Sequence, residues 1–294
     1  MSDLVFMHFG GPEVDPPSLE EARIVVLPLC YEQAPSYAAG SGEGPFHILR
    51  ASEQMESLDE ETLVDWSQFP ILTAPPLFPS GPPEKAVMQM KQAAKPYLEA
   101  GKFLLSLGGD HAVTIGPVMA TKEVHPEIGV LQIDAHTDLR NEWNGSRFNH
   151  ACVMRRLADD VRVPFVQVGV RSFSPEESKL MKERGYRPFF AHEIVPWEDS
   201  WMDRVVDGLP ETVYVTLDLD GLDPSAMPGT GTPEPGGLSY RQVTGLIKKL
   251  GMLRKVVAAD INELMKIDGC AVSEYTAAKL ATKIFVHCLG RGKK

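Results

Sequence analysis

Six side chains, His111, Asp134, His136, Asp138, Asp218 and Asp220, are of the types that hold metal ions, and their spacing lets them act together. Asp134, His136 and Asp138 occupy alternate positions in Asp134-Ala135-His136-Thr137-Asp138. In an extended segment alternate side chains leave on one face, so these three can converge on one point. Asp218 and Asp220 share that property. Four carboxylates gathered in a small volume are strongly unfavourable unless cations sit between them. With two imidazoles added, the set is too large for one ion, and a carboxylate-rich mixed set suits Mn²⁺ over a tetrahedral thiolate zinc site. A single Asp after a strand is more often a helix cap or turn residue, and Asp110 and Asp223 are read in that way. His125, His192 and His287 have no carboxylate pattern around them and are read as structural.

The elements that must position these residues are short apolar runs. Strands are predicted at Ile24 to Cys30, Phe103 to Leu107, Ile128 to Ile133, Phe165 to Val170, Val213 to Leu217 and Lys255 to Ala259. Helices are predicted at Pro83 to Ala100, Val113 to Val124, Ala151 to Ala158, Pro175 to Arg184, Tyr240 to Leu250 and Glu274 to Cys288. This alternation is the pattern of an α/β fold, a parallel sheet with helices on both faces. Ligands of such sheets bind outside the carboxyl ends of the strands. Gly108-Gly109-Asp110-His111, the 134–138 segment, Asp218-Leu219-Asp220 and Asp260-Ile261-Asn262-Glu263 all follow predicted strands. The stretch 70–83 holds six prolines and reads as an irregular surface connection. The Gly- and Pro-rich stretch 223–237 reads as a loop, and it lacks the GK[ST] ending of a phosphate-binding loop.

The chain has 294 residues, 43% hydrophobic and 23% charged, as expected of an ordinary globular protein with a sizeable core. Its net charge of −11 repels polyanions and attracts cations, which argues against a nucleic-acid partner. No apolar run approaches the roughly 18 to 20 residues that span a bilayer, and no basic segment precedes an apolar one at the start. Neither membrane insertion nor secretion is expected. Cys30, Cys152, Cys270 and Cys288 are scattered without a CxxC pair, which fits a reducing, cytoplasmic compartment.

In order and spacing, GGDH (108–111), DAHTD (134–138) and DLDGLDP (218–224) resemble the signature segments of the ureohydrolases, the arginase and agmatinase family. The resemblance extends from about residue 24 to 290. It implies a three-layer αβα domain around an eight-stranded, mostly parallel sheet, here taken as one domain over 1–294 with an N-terminal extension at 1–22. It also implies two Mn²⁺ ions per chain and hydrolysis of a guanidino group to release urea. By the same resemblance one metal is held by His111, Asp134, Asp138 and Asp218, the other by His136, Asp134, Asp218 and Asp220. Asp134 and Asp218 then bridge, and Asp138 carries a proton toward the leaving amine. His150 is similar to a family histidine near the mouth of the site. Glu263 matches the glutamate that pairs with the substrate guanidinium, a planar fork suited to two-point pairing with a carboxylate. Family members assemble as trimers or hexamers, so a homo-oligomer is expected.

Arginases recognise an α-amino acid head group through residues between DAHTD and the site histidine. Here that stretch, Leu139 to Asn149 (LRNEWNGSRFN), is closer to the agmatinase type. His150 to Arg156, Gly229 to Gly237, Tyr31-Glu32 with Ser36-Tyr37, and Gly42 to Pro45 also look agmatinase-like. Agmatine, hydrolysed to putrescine and urea, is the first expectation for the cationic small-molecule substrate. Aminopropylagmatine, guanidinobutyrate and arginine are the alternatives. A zinc deacetylase-like enzyme with one metal is an alternative of another class, disfavoured by the second Asp of DAHTD and by the full set of six ligands. A non-catalytic binding relative would usually have lost a ligand, and none is missing.

Overall fold

The computed structural model describes residues 7–33, 37–195 and 198–290. Its strands are β1 (Ile24–Leu29), β2 (Ile71–Thr73), β3 (Phe103–Gly108), β4 (Ile128–Ile133), β5 (Phe165–Val170), β6 (Phe189–Phe190), β7 (Thr212–Asp218) and β8 (Lys255–Asn262). Its α-helices are α1 (Gly44–Ser52), α2 (Pro83–Glu99), α3 (Ile115–Val124), α4 (Val153–Arg156), α5 (Pro175–Arg184), α6 (Ser200–Asp207), α7 (Tyr240–Leu253) and α8 (Val272–Leu289). The strands form one sheet in the order β2-β1-β3-β8-β7-β4-β5-β6, and every pairing is parallel. Parallel strands need crossovers, and the helices that provide them cover both faces.

Alternation along the strands sorts the core into two halves. Ile24, Val26, Leu105, Leu131, Val215 and Ile261 face one apolar cluster, which residues of α6, α7 and α8 complete. Val25, Leu27, Leu104, Val130, Tyr214 and Ala258 face the other, with residues of α2, α3 and α5. The result is a three-layer αβα fold with a buried sheet.

All six expected strands are present, and β8 runs three residues beyond its expected end. The expectation for 70–83 needs correction. Ile71–Thr73 forms an edge strand with Ile71 and Thr73 buried, and Leu77 continues the docking by donating to the Pro28 carbonyl at 2.9 Å. An edge position tolerates the flanking prolines because one side of the strand needs no N–H donors. Part of the N-terminal segment is likewise core, with Phe9 edge-on to Trp66 and Phe285 at 5.8 and 5.3 Å between ring centroids. Ala151 to Ala158 is not one helix. It starts as a 3₁₀ turn at His150–Cys152, has one α-turn in α4, and ends in a π-turn at Leu157–Val161. Helices α1 and α6 and the two-residue strand β6 were not foreseen. Ser36 and residues 1–6 lie outside the described residues.

One ion cluster ties α8 to the connection that follows α1. Lys283 of α8 is fully buried, with Nζ 2.5 Å from Asp59 Oδ2, 3.0 Å from Glu60 Oε1 and 3.5 Å from Glu61 Oε1. Burial alone would raise the Asp59 carboxyl, yet the hydrogen bonds from Lys283 and Thr62 outweigh it and hold the group at about 2. A carboxyl depressed on folding contributes stability above its unfolded value near 3.8 and loses it as pH falls toward 2. Asp59→Asn is therefore expected to cost about 1–2 kcal/mol at pH 7. Thermal melts of the metal-free protein check this, and the gap to wild type should close below pH 3. A gap unchanged from pH 7 to pH 3 would show that the charge contributes nothing.

Candidate metal centre

The four central strands deliver the site from their carboxyl ends. β3 leads through Gly108 and Gly109 to His111, β4 to Asp134 and His136, β7 to Asp218 and Asp220, and β8 to Glu263. Gly109 allows a close passage of chains, since a Cβ there would lie 1.9 Å from the Tyr31 carbonyl oxygen. Asp110 caps the turn that carries His111 by accepting from the Ala112 amide, and Asp223 accepts from the amides of Ser225, Gly236 and Gly237, so both are turn residues as expected.

His111 Nδ1 lies 3.1 Å from Asp134 Oδ2, 2.8 Å from Asp138 Oδ2 and 3.3 Å from Asp218 Oδ2. His136 Nδ1 lies 3.5 Å from Asp134 Oδ1 and 3.1 Å from Asp220 Oδ2. Asp134 thus turns one oxygen to each imidazole, and it belongs to both of the ligand groups compact enough to hold an ion, His111-Asp134-Asp218 and Asp134-His136-Asp220. Asp218 turns Oδ2 to His111, while its Oδ1 accepts from the Asp220 amide at 3.0 Å, so its contacts lie on the His111 side. Asp138 arrives by a route other than strand alternation. Its backbone is left-handed, φ 52, and its carbonyl accepts from the Arg155 amide of α4. Glu263 is left-handed too, φ 67, and its Oε1 accepts from the His111 amide at 2.7 Å. Such conformations are uncommon away from glycine and concentrate at functional sites.

The charges are unbalanced. Asp134, Asp138, Asp218 and Asp220 are all buried. Burial, then the charges of Asp220 and Asp134, drives Asp218 well above the ordinary carboxylate range. Burial and Asp134 push Asp138 to about 7. Burial works against charge on both imidazoles, but Asp134 and Asp138 hold His111 protonated far above its usual range, and Asp220 and Asp134 do the same for His136. Asp134 is held low against burial by those two histidines. Protons on the imidazoles here stand in the place that metal cations take on binding, when ligand protons are released. His111 Nδ1 and Asp138 Oδ2 are buried without hydrogen-bond partners although they face each other, as two ligands of one ion do. The donor set, imidazole and carboxylate without thiolate, fits hard to borderline divalent ions.

His111, His136, Asp138, Asp218 and Asp220 line a cavity of about 370 Å³ with His150, Glu263, Arg140, Trp143, Phe173 and Glu234 at its walls. Burial, reinforced by His111 and His136, lowers His150 to about 4, so it is neutral near pH 7. Supporting residues absent from the sequence reading complete the site. Glu177 caps α5 through Ser174 and also accepts from Thr137 Oγ1 at 2.7 Å and the Leu139 amide at 3.0 Å, fixing the turn at Asp138. Arg171 donates to the carbonyls of Gly169, Asp220, Gly221, Leu222, Glu234 and Pro235, clamping the 223–237 loop to the turn that follows β7 and to the end of β5. Gln132 donates to Asp134 Oδ2 at 2.6 Å, and Thr216 Oγ1 meets His111 Nε2 at 2.8 Å. The signal for the last two was a lone polar residue inside an otherwise apolar strand.

The sequence profile described as Arginase family matches residues 22–288. The chain is 40% identical over 262 residues to an N(1)-aminopropylagmatine ureohydrolase of Thermus thermophilus, covering 89% of this chain and 88% of that one. It is 33% identical over 276 residues to an agmatinase of Pyrococcus horikoshii, covering 93% of each. Among solved structures, the agmatine ureohydrolase of Thermoplasma volcanium superposes with a TM-score of 0.87 at 27% identity, over 97% of this chain and 95% of that one.

Proposed function

The chain belongs to the arginase family, and from that premise we propose that it is a binuclear, Mn²⁺-dependent ureohydrolase whose substrate is N(1)-aminopropylagmatine. The observation that carries the centre is Asp134 facing two imidazoles with one oxygen each. We assign His111, Asp134, Asp138 and Asp218 to one ion, and His136, Asp134 and Asp220 to the other, with Asp218 as a second bridge. When bound, a pair of divalent ions supplies an acidified water and positive charge to steady the reacting group. Glu263 holds the guanidinium, whose charge restores ionisation to a carboxyl that burial, and then Asp110, raise well above its ordinary range. Oxygen from water joins the guanidino carbon, the bond from that carbon to the chain nitrogen breaks, and the amine leaves with a proton. We assign to Asp138 the transfer of that proton, and neutral His150 accepts or relays it at the mouth.

Agmatine was the first expectation from sequence; the more similar of the two relatives named above, an N(1)-aminopropylagmatine ureohydrolase, moves the reading to the aminopropylated compound, with agmatine as the second reading. The cavity wall supports a polycation. Glu177 and Glu234 line it, and Arg140, stacked 4.0 Å over the Trp143 ring, is the only Lys or Arg among the described lining residues. An α-carboxylate brought there would be repelled and poorly solvated. A single domain, a homotrimer or homohexamer and a cytoplasmic setting belong to the same proposal and rest on the family resemblance and the scattered cysteines. No helix among the described residues is long and apolar enough to cross a membrane.

Urea release by Mn²⁺-loaded protein on aminopropylagmatine, agmatine, guanidinobutyrate and arginine at equal concentration tests the substrate. The expected order places aminopropylagmatine first and arginine behind by about tenfold or more. Agmatine as the best substrate would return the chain to the agmatinase branch, and arginine as the best would sink the reading.

A further inference from the structure

Five strands each place one polar side chain in the same register row beneath the site: Gln167, Gln132, Thr216, Asp260 and Ser106, on β5, β4, β7, β8 and β3. They lie on the sheet face of Leu104, Val130, Tyr214 and Ala258, and none is more than 2% exposed. Asp260 is the one ionisable member, and among the described residues no Lys, Arg or His forms an ion pair with it. Its Oδ2 accepts from Tyr214 Oη at 2.7 Å and its Oδ1 from Asn262 Nδ2 at 2.7 Å, while the hydroxyls of Thr216, its register neighbour on β7, and of Thr114 favour its ionised form. A carboxylate buried among neutral donors is costly to keep, and core packing gives no reason to keep it.

Hydrogen-bond polarity gives the reason. An ionised carboxylate only accepts, so a hydroxyl between it and an imidazole must send its proton toward the carboxylate. Thr216 then offers a lone pair to His111 Nε2, which lies 2.8 Å away. In the neutral, metal-binding form His111 would then carry its proton on Nε2, leaving the lone pair of Nδ1, the nitrogen facing Asp134, Asp138 and Asp218, for a metal. We propose that Asp260 is a positioning residue that, through Thr216, fixes the His111 tautomer and raises the affinity of the metal centre. The proposal rests on the metal-centre reading above. An amide at position 260 brings donors of its own, frees the Thr216 proton to point at His111 Nε2, and drives the ring proton onto the metal-facing nitrogen.

Mn²⁺ affinity measured by chelator competition on the full chain is the test. Asp260→Asn is expected to bind about ten- to a hundredfold more weakly than wild type, as for loss of an outer partner of a ligating histidine. Thr216→Val, which cuts the link, should lose a similar factor, and the double variant should be no weaker than Thr216→Val alone. Effects that simply add would mark a structural role and overturn the proposal, as would wild-type affinity in Asp260→Asn. A second measurement needs no variant: ¹⁵N shifts of histidine in the protein loaded with diamagnetic Zn²⁺ should place the His111 proton on Nε2. A proton on Nδ1 would contradict the proposal. A wild-type chain that holds no divalent ion would overturn both readings, whereas normal binding in wild type with an unaffected Asp260→Asn overturns this one alone.

Discussion

Asp134→Ala is expected to lose both metal ions and nearly all urea release, the largest single effect in the molecule. Asp134 is the one carboxylate that faces His111 with one oxygen and His136 with the other, at 3.1 and 3.5 Å. Its removal leaves two imidazoles beside Asp138, Asp218 and Asp220, with Asp218 the one remaining bridge and its contacts on the His111 side. Charge stabilisation and an activated water from metal are worth several kcal/mol, so activity should fall at least about a thousandfold. Asp218→Ala should follow if Asp218 also bridges; retention of the ion beside His136 in that variant would restrict Asp218 to the His111 side. Elemental analysis of purified protein decides both, with two equivalents in wild type as the reference.

Glu263→Gln should lower kcat/KM about ten- to a hundredfold while metal content stays at two. The substitution keeps size and shape but replaces a charged acceptor of guanidinium by a neutral amide, a loss of roughly 1.5–3 kcal/mol. The native carboxyl is half-buried on the cavity wall and shifted upward by desolvation and then by Asp110, so it is poised to gain from a cation delivered to it. Its backbone amide donates to the Gly109 carbonyl at 2.8 Å, a bond the substitution leaves in place. Loss of metal in Glu263→Gln would show that the residue supports the His111 turn, through the 2.7 Å bond to that amide, more than it binds substrate.

Much of this architecture was legible because its signals are local. β-rich runs ending in Asp or His, with helical segments between them, gave the parallel sheet and the edge at which ligands gather. Where prediction failed, tertiary context had overridden composition. Ile71–Thr73 is a strand because the neighbouring edge of β1 was open to it, a fact no proline count contains. Asp138 reached the site through a left-handed turn held by Glu177, some forty residues away, so alternation gave the right neighbours for the wrong geometric reason. The polar row under the site could not be assembled from sequence, because each strand contributes one lone polar residue and only the register Gln132↔Thr216 and Thr216↔Asp260 joins them. Arg171, whose guanidinium joins the 223–237 loop to the turn after β7, carried no sequence signal, since its partners are all carbonyl oxygens.

The central claim is a two-metal centre that hydrolyses a polycationic guanidine. Its most direct test is urea release from aminopropylagmatine as metal-stripped protein is titrated with Mn²⁺. Activity should climb to a plateau at two equivalents per chain. A plateau at one equivalent, or no urea at any metal load, would contradict it.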